Sequence, residues 1–135
     1  MADTAPLVRV VESGVPAVGT AADDVDTVVL QAPFAGTVTA VEYVPGAAIT
    51  GAATNNRTLS LVNKGAAGSG TTSVATLAFG AGVTAPACNE RALTLSATAA
   101  NLVVAAGDTL QWRSVHVGTG ITDPGGLVRV TVARA

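Results

Sequence analysis

The chain predicts an all-β fold: a two-sheet antiparallel β-sandwich of about eight strands, with jelly-roll or Greek-key winding. Three observations carry that expectation. Short Val-rich or alternating runs recur at sandwich spacing, each bounded by clusters of Gly, Pro, Asn and Asp. No segment keeps a helical period of apolar residues. The chain is 49% hydrophobic yet only 3% aromatic, its apolar content being built from Ala and Val, which suits thin, tightly packed sheets better than a deep ligand pocket. Long connections interspersed with a tight one favour Greek-key or jelly-roll winding over a meander. A length of 135 residues is one domain's worth and can bury a core without staples. The expected organisation is an N-terminal arm over residues 1–6, ended by Pro6, and a single domain over residues 7–135.

Taken in order, Leu7 to Glu12 is β-branched and reads as a first strand. Ser13 to Asp24, with Gly14, Pro16 and Gly19, reads as a loop. Thr27 to Ala32 is a second strand, stopped by Pro33, and Ala35-Gly36 turns into Thr37 to Val44. The unit from Asp26 to Pro45 is therefore expected to be a hairpin with Phe34 at its tip. Ala47 to Asn56 reads as a surface loop. Arg57 to Asn63 is a half-buried strand, Lys64 to Gly70 a glycine-rich turn and Thr71 to Phe79 an alternating strand with Ala75, Leu77 and Phe79 on one face. Gly80 to Asn89 is a connection, Arg91 to Ser96 a strand with Leu93 and Leu95 inward, and Leu102 to Val104 a short strand. Gly107-Asp108 suits a tight reversal, because Gly takes φ > 0 and Asp bonds back to nearby amides. The strand after it places Leu110, Trp112, Ser114 and His116 on one face, with the lone Trp112 as core anchor. Leu127 to Arg134 closes the chain with Val128, Val130 and Val132 inward.

Most chemistries lack their residues. The net charge is −2 with no Lys/Arg cluster, so nucleic acid is not an expected partner. The single histidine and single cysteine offer no metal-ligand spacing, and Cys88 reads as a small buried residue. Asp23, Asp24 and Asp26 lack the Gly and distal Glu of a calcium loop and read as solvated. Lys64 to Gly70 lacks the Gly-Lys-Ser/Thr ending of a phosphate loop. Ser114 and His116 point the same way, but no acid is placed to orient the imidazole, so His116 defaults to a strand-end or interface residue. Glu42 and Glu90 could be folded together as a glycosidase-like carboxylate pair, yet Tyr43 and Trp112 are too few to line a sugar cleft. No catalytic, metal or cofactor site is expected, and the chain reads as a non-enzyme. Residues 1–6 have neither a basic n-region nor an apolar core, and no run approaches the ~18 apolar residues of a membrane span. No membrane partner is expected, and synthesis is expected in a cytoplasm.

Charged residues are only 12% of the chain, about half the usual share. A weakly charged β surface is prone to association, which points to homo-oligomerisation or docking on a larger assembly. Four segments carry a resemblance consistent with that: Gln31-Ala32-Pro33-Phe34-Ala35-Gly36-Thr37-Val38; Asn56-Arg57-Thr58-Leu59-Ser60-Leu61-Val62-Asn63-Lys64-Gly65; Ala106-Gly107-Asp108-Thr109-Leu110; and Gly125-Gly126-Leu127-Val128-Arg129-Val130. In their order and composition they resemble small jelly-roll capsid decoration (cement) proteins of tailed bacteriophages infecting actinobacteria. The resemblance spans most of residues 26–132 and implies a noncatalytic virion protein on the capsid exterior. It also implies a homotrimer that bridges major capsid protein subunits. Independently, the arm and its junction, Ala2, Asp3, Thr4, Ala5, Pro6 and Leu7, could add a strand to a neighbour's sheet edge. The alternative is a receptor- or glycan-binding sandwich of a phage fibre or cell surface, which requires Trp112 and Tyr43 to be exposed beside a polar groove.

Overall fold

The computed structural model describes residues 7–135, and residues Ala2 to Pro6 of the expected arm lie outside them. The strands are β1 (Val8–Val15), β2 (Val25–Gln31), β3 (Gly36–Pro45), β4 (Asn56–Gly65), β5 (Thr72–Ala78), β6 (Arg91–Ala92), β7 (Thr94–Leu95), β8 (Val103–Val104), β9 (Thr109–Val117) and β10 (Gly126–Arg134). One sheet runs β1-β10-β3-β6, with β8 also pairing β3, and the other runs β2-β9-β4-β5-β7. All pairings are antiparallel. The chain crosses between sheets at almost every connection, which is jelly-roll winding, and the two inner faces form one core.

That core follows the period of two. On β10, Val128, Val130 and Val132 are fully buried, and on β9 Leu110, Trp112 and Ser114 point inward as expected. Trp112 packs against Tyr43 of β3 with ring centroids 5.5 Å apart, so the two largest aromatic side chains tie the sheets together. Gly107 takes φ +85° in the turn before β9. The Asp108 Oδ2 accepts the Ala105 amide at 2.9 Å and the Asn63 side-chain amide at 3.1 Å. The reversal is thus pinned to β4 as well as closed on itself.

Several expectations are corrected. Asp26 to Pro45 is not a hairpin: β2 pairs β9 and β3 pairs β10. Pro33 to Ala35 is a crossing between sheets, and Phe34 packs against the core edge beneath the Arg134 guanidinium, 5.3 Å from its ring centre. Strand β1 continues to Val15 rather than ending at Glu12. The Arg91 to Ser96 strand is split at Leu93, because the chain switches there from β3 to β5. Ile49, in the expected surface loop, is buried and forms a bridge with Ala85. A register shift between Leu61 and Val62 turns Val74 inward alongside Ala75. Cys88 is exposed, not buried, with φ 61°. It sits in a surface turn where its amide donates to the Pro45 carbonyl at 2.8 Å.

Candidate functional site

Three groups of polar side chains gather what chemistry the chain carries. The first is buried at one end of the sandwich. Arg57, at the start of β4, is 1% exposed. Its Nε donates to the Ile121 carbonyl at 2.8 Å, and Nη2 donates to the Ala21 and Asp23 carbonyls, both at 2.9 Å. Nη1 donates to Ser114 Oγ at 3.1 Å, and that hydroxyl donates on to Asp123 Oδ2 at 2.7 Å. Asp123 Oδ1 accepts Tyr43 Oη–H at 2.7 Å and the Gly125 amide at 2.9 Å. Burial first, and then the Asp123 carboxylate, push the Tyr43 phenol well above its ordinary value, so it remains a donor. A buried guanidinium and a buried carboxylate are thereby joined through one hydroxyl, with four of the five guanidinium N–H groups and both carboxylate oxygens bonded inside the protein.

The second group answers the question posed by Ser114 and His116. An acid does reach the imidazole: Asp24 Oδ1 lies 2.6 Å from His116 Nδ1 and also accepts the His116 amide at 2.8 Å. Both groups are substantially solvent-exposed. The amide first, and then the imidazole, hold the Asp24 carboxyl below its ordinary value. Ser114 is committed to Asp123 and Arg57, so serine, histidine and acid form no relay. The contact instead clasps the β1–β2 loop to the end of β9. Asp26 falls on β2, not in the loop, and pairs with Arg113 of β9 at 3.1 Å.

The third group is on the outer face of the β1-β10-β3 sheet. Register places Glu12, Arg129 and Glu42 side by side on successive strands. Glu42 and Glu90 border one depression of about 340 Å³ whose other walls are Thr39, Ala40, Val41, Ala92, Leu93 and Leu95. The fold does bring this carboxylate pair together, but no aromatic ring lines the depression. Burial, and then the charge of Glu90, raise the Glu42 carboxyl, while Arg129 opposes them.

The folded state holds the Glu42 proton to a higher pH than the unfolded chain, whose ordinary value is 4.5. This contribution to stability is full below that value and is lost as pH rises through the folded pKa. Asp24 acts oppositely, its contribution being lost as pH falls below the ordinary 3.8. Glu42→Gln is expected to raise the melting temperature at pH 7, with the gap to wild type closing toward pH 4.5. Thermal melts across that range check it, and equal melting temperatures at pH 7 would contradict it.

Of the expected partner-binding residues, Leu7 is described: it is 39% exposed and its carbonyl accepts the Arg134 amide at 2.8 Å. Tyr43 and Trp112, needed at the surface for a glycan platform, are 0% and 2% exposed. The burial of Arg57 was not foreseen, although its alternation with Leu59 and Leu61 carried the signal. Comparisons with protein-family models, with curated proteins and with solved structures return no match.

Proposed function

We propose that the protein is a noncatalytic structural component that decorates and stabilises a bacteriophage capsid, acting as a homotrimer that bridges major capsid protein subunits on the virion exterior. The observation that best supports this reading is the outer face of the β1-β10-β3 sheet. Register aligns Val8, Ala133, Thr37 and Val103 in one row, and Val10, Thr131 and Ala40 in the next. Val8, Val10 and Val103 are 52%, 41% and 57% exposed. Keeping an apolar, weakly charged face of this kind in water costs free energy, and burying it against a partner is favourable. The Arg57–Ser114–Asp123–Tyr43 group and the Asp24–His116 contact are engaged in bracing the sandwich, which leaves the surface as what the molecule offers. The jelly-roll winding and the resemblance of the four segments point the same way. Many copies on one shell would turn modest contacts into firm attachment, and binding to the assembled shell alone would stabilise it by linkage.

Cryo-EM of particles assembled with and without the protein tests the reading, alongside heat resistance of the two. Trimeric density over the junctions of capsid subunits, with greater heat resistance, is expected. Deleting residues 1–6 should lower occupancy while leaving the isolated fold stable. Bare shells of unchanged stability would overturn the proposal.

A further inference from the structure

The two sheets have four lateral edges, and three of them are blunted. One is formed by β6 and β8 and another by β7, each a strand of two residues, while β2 carries a register break between Val28 and Leu30. Short strands and bulges are the usual protection against edge-to-edge pairing. Strand β1 has neither. It runs eight residues from Val8 to Val15 in unbroken register with β10, with no proline and no lysine.

The hydrogen-bond phase of this edge can be read directly. The Leu7 carbonyl accepts from Arg134, so in the alternating antiparallel ladder Leu7, Arg9, Val11 and Ser13 turn their main-chain groups toward β10. Val8, Val10, Glu12 and Gly14 then turn theirs away from it. Among the described residues no other backbone group bonds to these amides and carbonyls. The side chains of Val8, Val10 and Glu12 lie on the outer sheet face, where Val8 and Val10 are exposed.

We infer that β1 is a pairing edge for β1 of a second copy of this chain, antiparallel across a two-fold axis perpendicular to the sheet. Such an axis keeps outer faces together, so it can pass only through a residue paired with itself. Axes through Arg9 or Glu12 oppose like charges, whereas axes through Val10 or Val11 oppose valines. In the latter pairings each Glu12 remains beside Arg129 of its own chain, so the edge meets its copy with its charge balanced. The contact is isologous: between two single chains it closes at two, and in the proposed trimer each of the three edges pairs once with a neighbouring trimer. It differs from the three-fold contacts of the proposed trimer and would join one trimer to the next. A single strand pair is small against the ~1,600 Å² of a standard interface, so association depends on concentration in solution and strengthens where copies sit side by side.

Sedimentation velocity from micromolar to millimolar protein, with amide exchange by NMR, tests the inference on the full chain. Mass should rise with concentration, from monomer to dimer, or from trimer to hexamer and larger species, since a trimer carries three such edges. The Val8, Val10 and Glu12 amides should slow by about tenfold or more on association. Val10→Pro removes an edge N–H that no bond inside the sheet uses, and should hold the mass at the lower value. Val10→Lys should do the same without touching the backbone, which guards against a folding defect of the proline variant. A mass that never doubles, a doubling that both variants retain, or edge amides exchanging like loop amides would overturn the inference. Failure of the capsid experiment leaves these readings untouched. A trimer that never doubles removes the edge pairing and keeps the trimer.

Discussion

Replacing Arg57 with Met is expected to lower the unfolding free energy by about 3–5 kcal/mol, the cost of removing one partner from a buried charge pair. Met matches the guanidinium stem in apolar bulk, so the loss reports the missing donors and charge rather than a cavity. Three carbonyls, those of Ala21, Asp23 and Ile121, lose their donors together, and Asp123 loses the positive charge relayed through Ser114. Arg57→Lys should recover only part of the loss, because one ammonium cannot reach four acceptors set around a planar fork. Urea titration of the three proteins checks this, read with amide exchange of the β1–β2 loop. A Met variant within about 1 kcal/mol of wild type would show that water replaces the donors and that the cluster does not brace the sandwich.

This cluster also marks where local reading of the chain stops. Residues on one face of one strand were legible, because alternation depends only on the pleat: Leu110, Trp112 and Ser114 lie inward, as do Val128, Val130 and Val132. The same rule places Arg57 with Leu59 and Leu61, but the preference of arginine for solvent conceals that it would be buried. Its acceptors come from residues far away in the chain, and the Tyr43–Asp123 bond spans 80 positions. Pairing partners were illegible for a related reason. Pro33 to Gly36 carries the residues of a tight turn, yet β2 and β3 join different sheets. Turn chemistry specifies a change of direction and not the strand that lies alongside. The break at Leu93 and the inward turn of Val74 likewise answer to neighbouring strands, as bulges do. The Asp24–His116 clasp joins a loop to a strand end, and no spacing in the chain announces it. Surface function is less legible still, since an apolar face and an open edge become visible only when the strands are assembled.

The second large effect is expected at Trp112. Trp112→Ala should cost about 3–5 kcal/mol, the range for truncating a large aromatic in a packed core. The residue is 2% exposed and stacks at a tilt on Tyr43 of the opposite sheet, so the void opens between the sheets where neither can close on it without moving the other. The core is mostly Val, Leu and Ala, with Tyr43, Ile49 and Phe79 as its other large side chains, and Tyr43, the ring beside the gap, is held in place by its bond to Asp123. The indole N–H has no hydrogen-bond partner among the described residues, so its contribution is packing alone. Trp112→Phe, which removes that donor and keeps most of the ring contact, should therefore cost much less than the alanine change. Chemical denaturation of both variants separates these contributions. Equal losses would mean that the N–H is bonded after all. An alanine loss under about 1 kcal/mol would mean that the sheets collapse onto the gap, and the apolar outer face of the β1-β10-β3 sheet would then rest on a pliable scaffold instead of a rigid one.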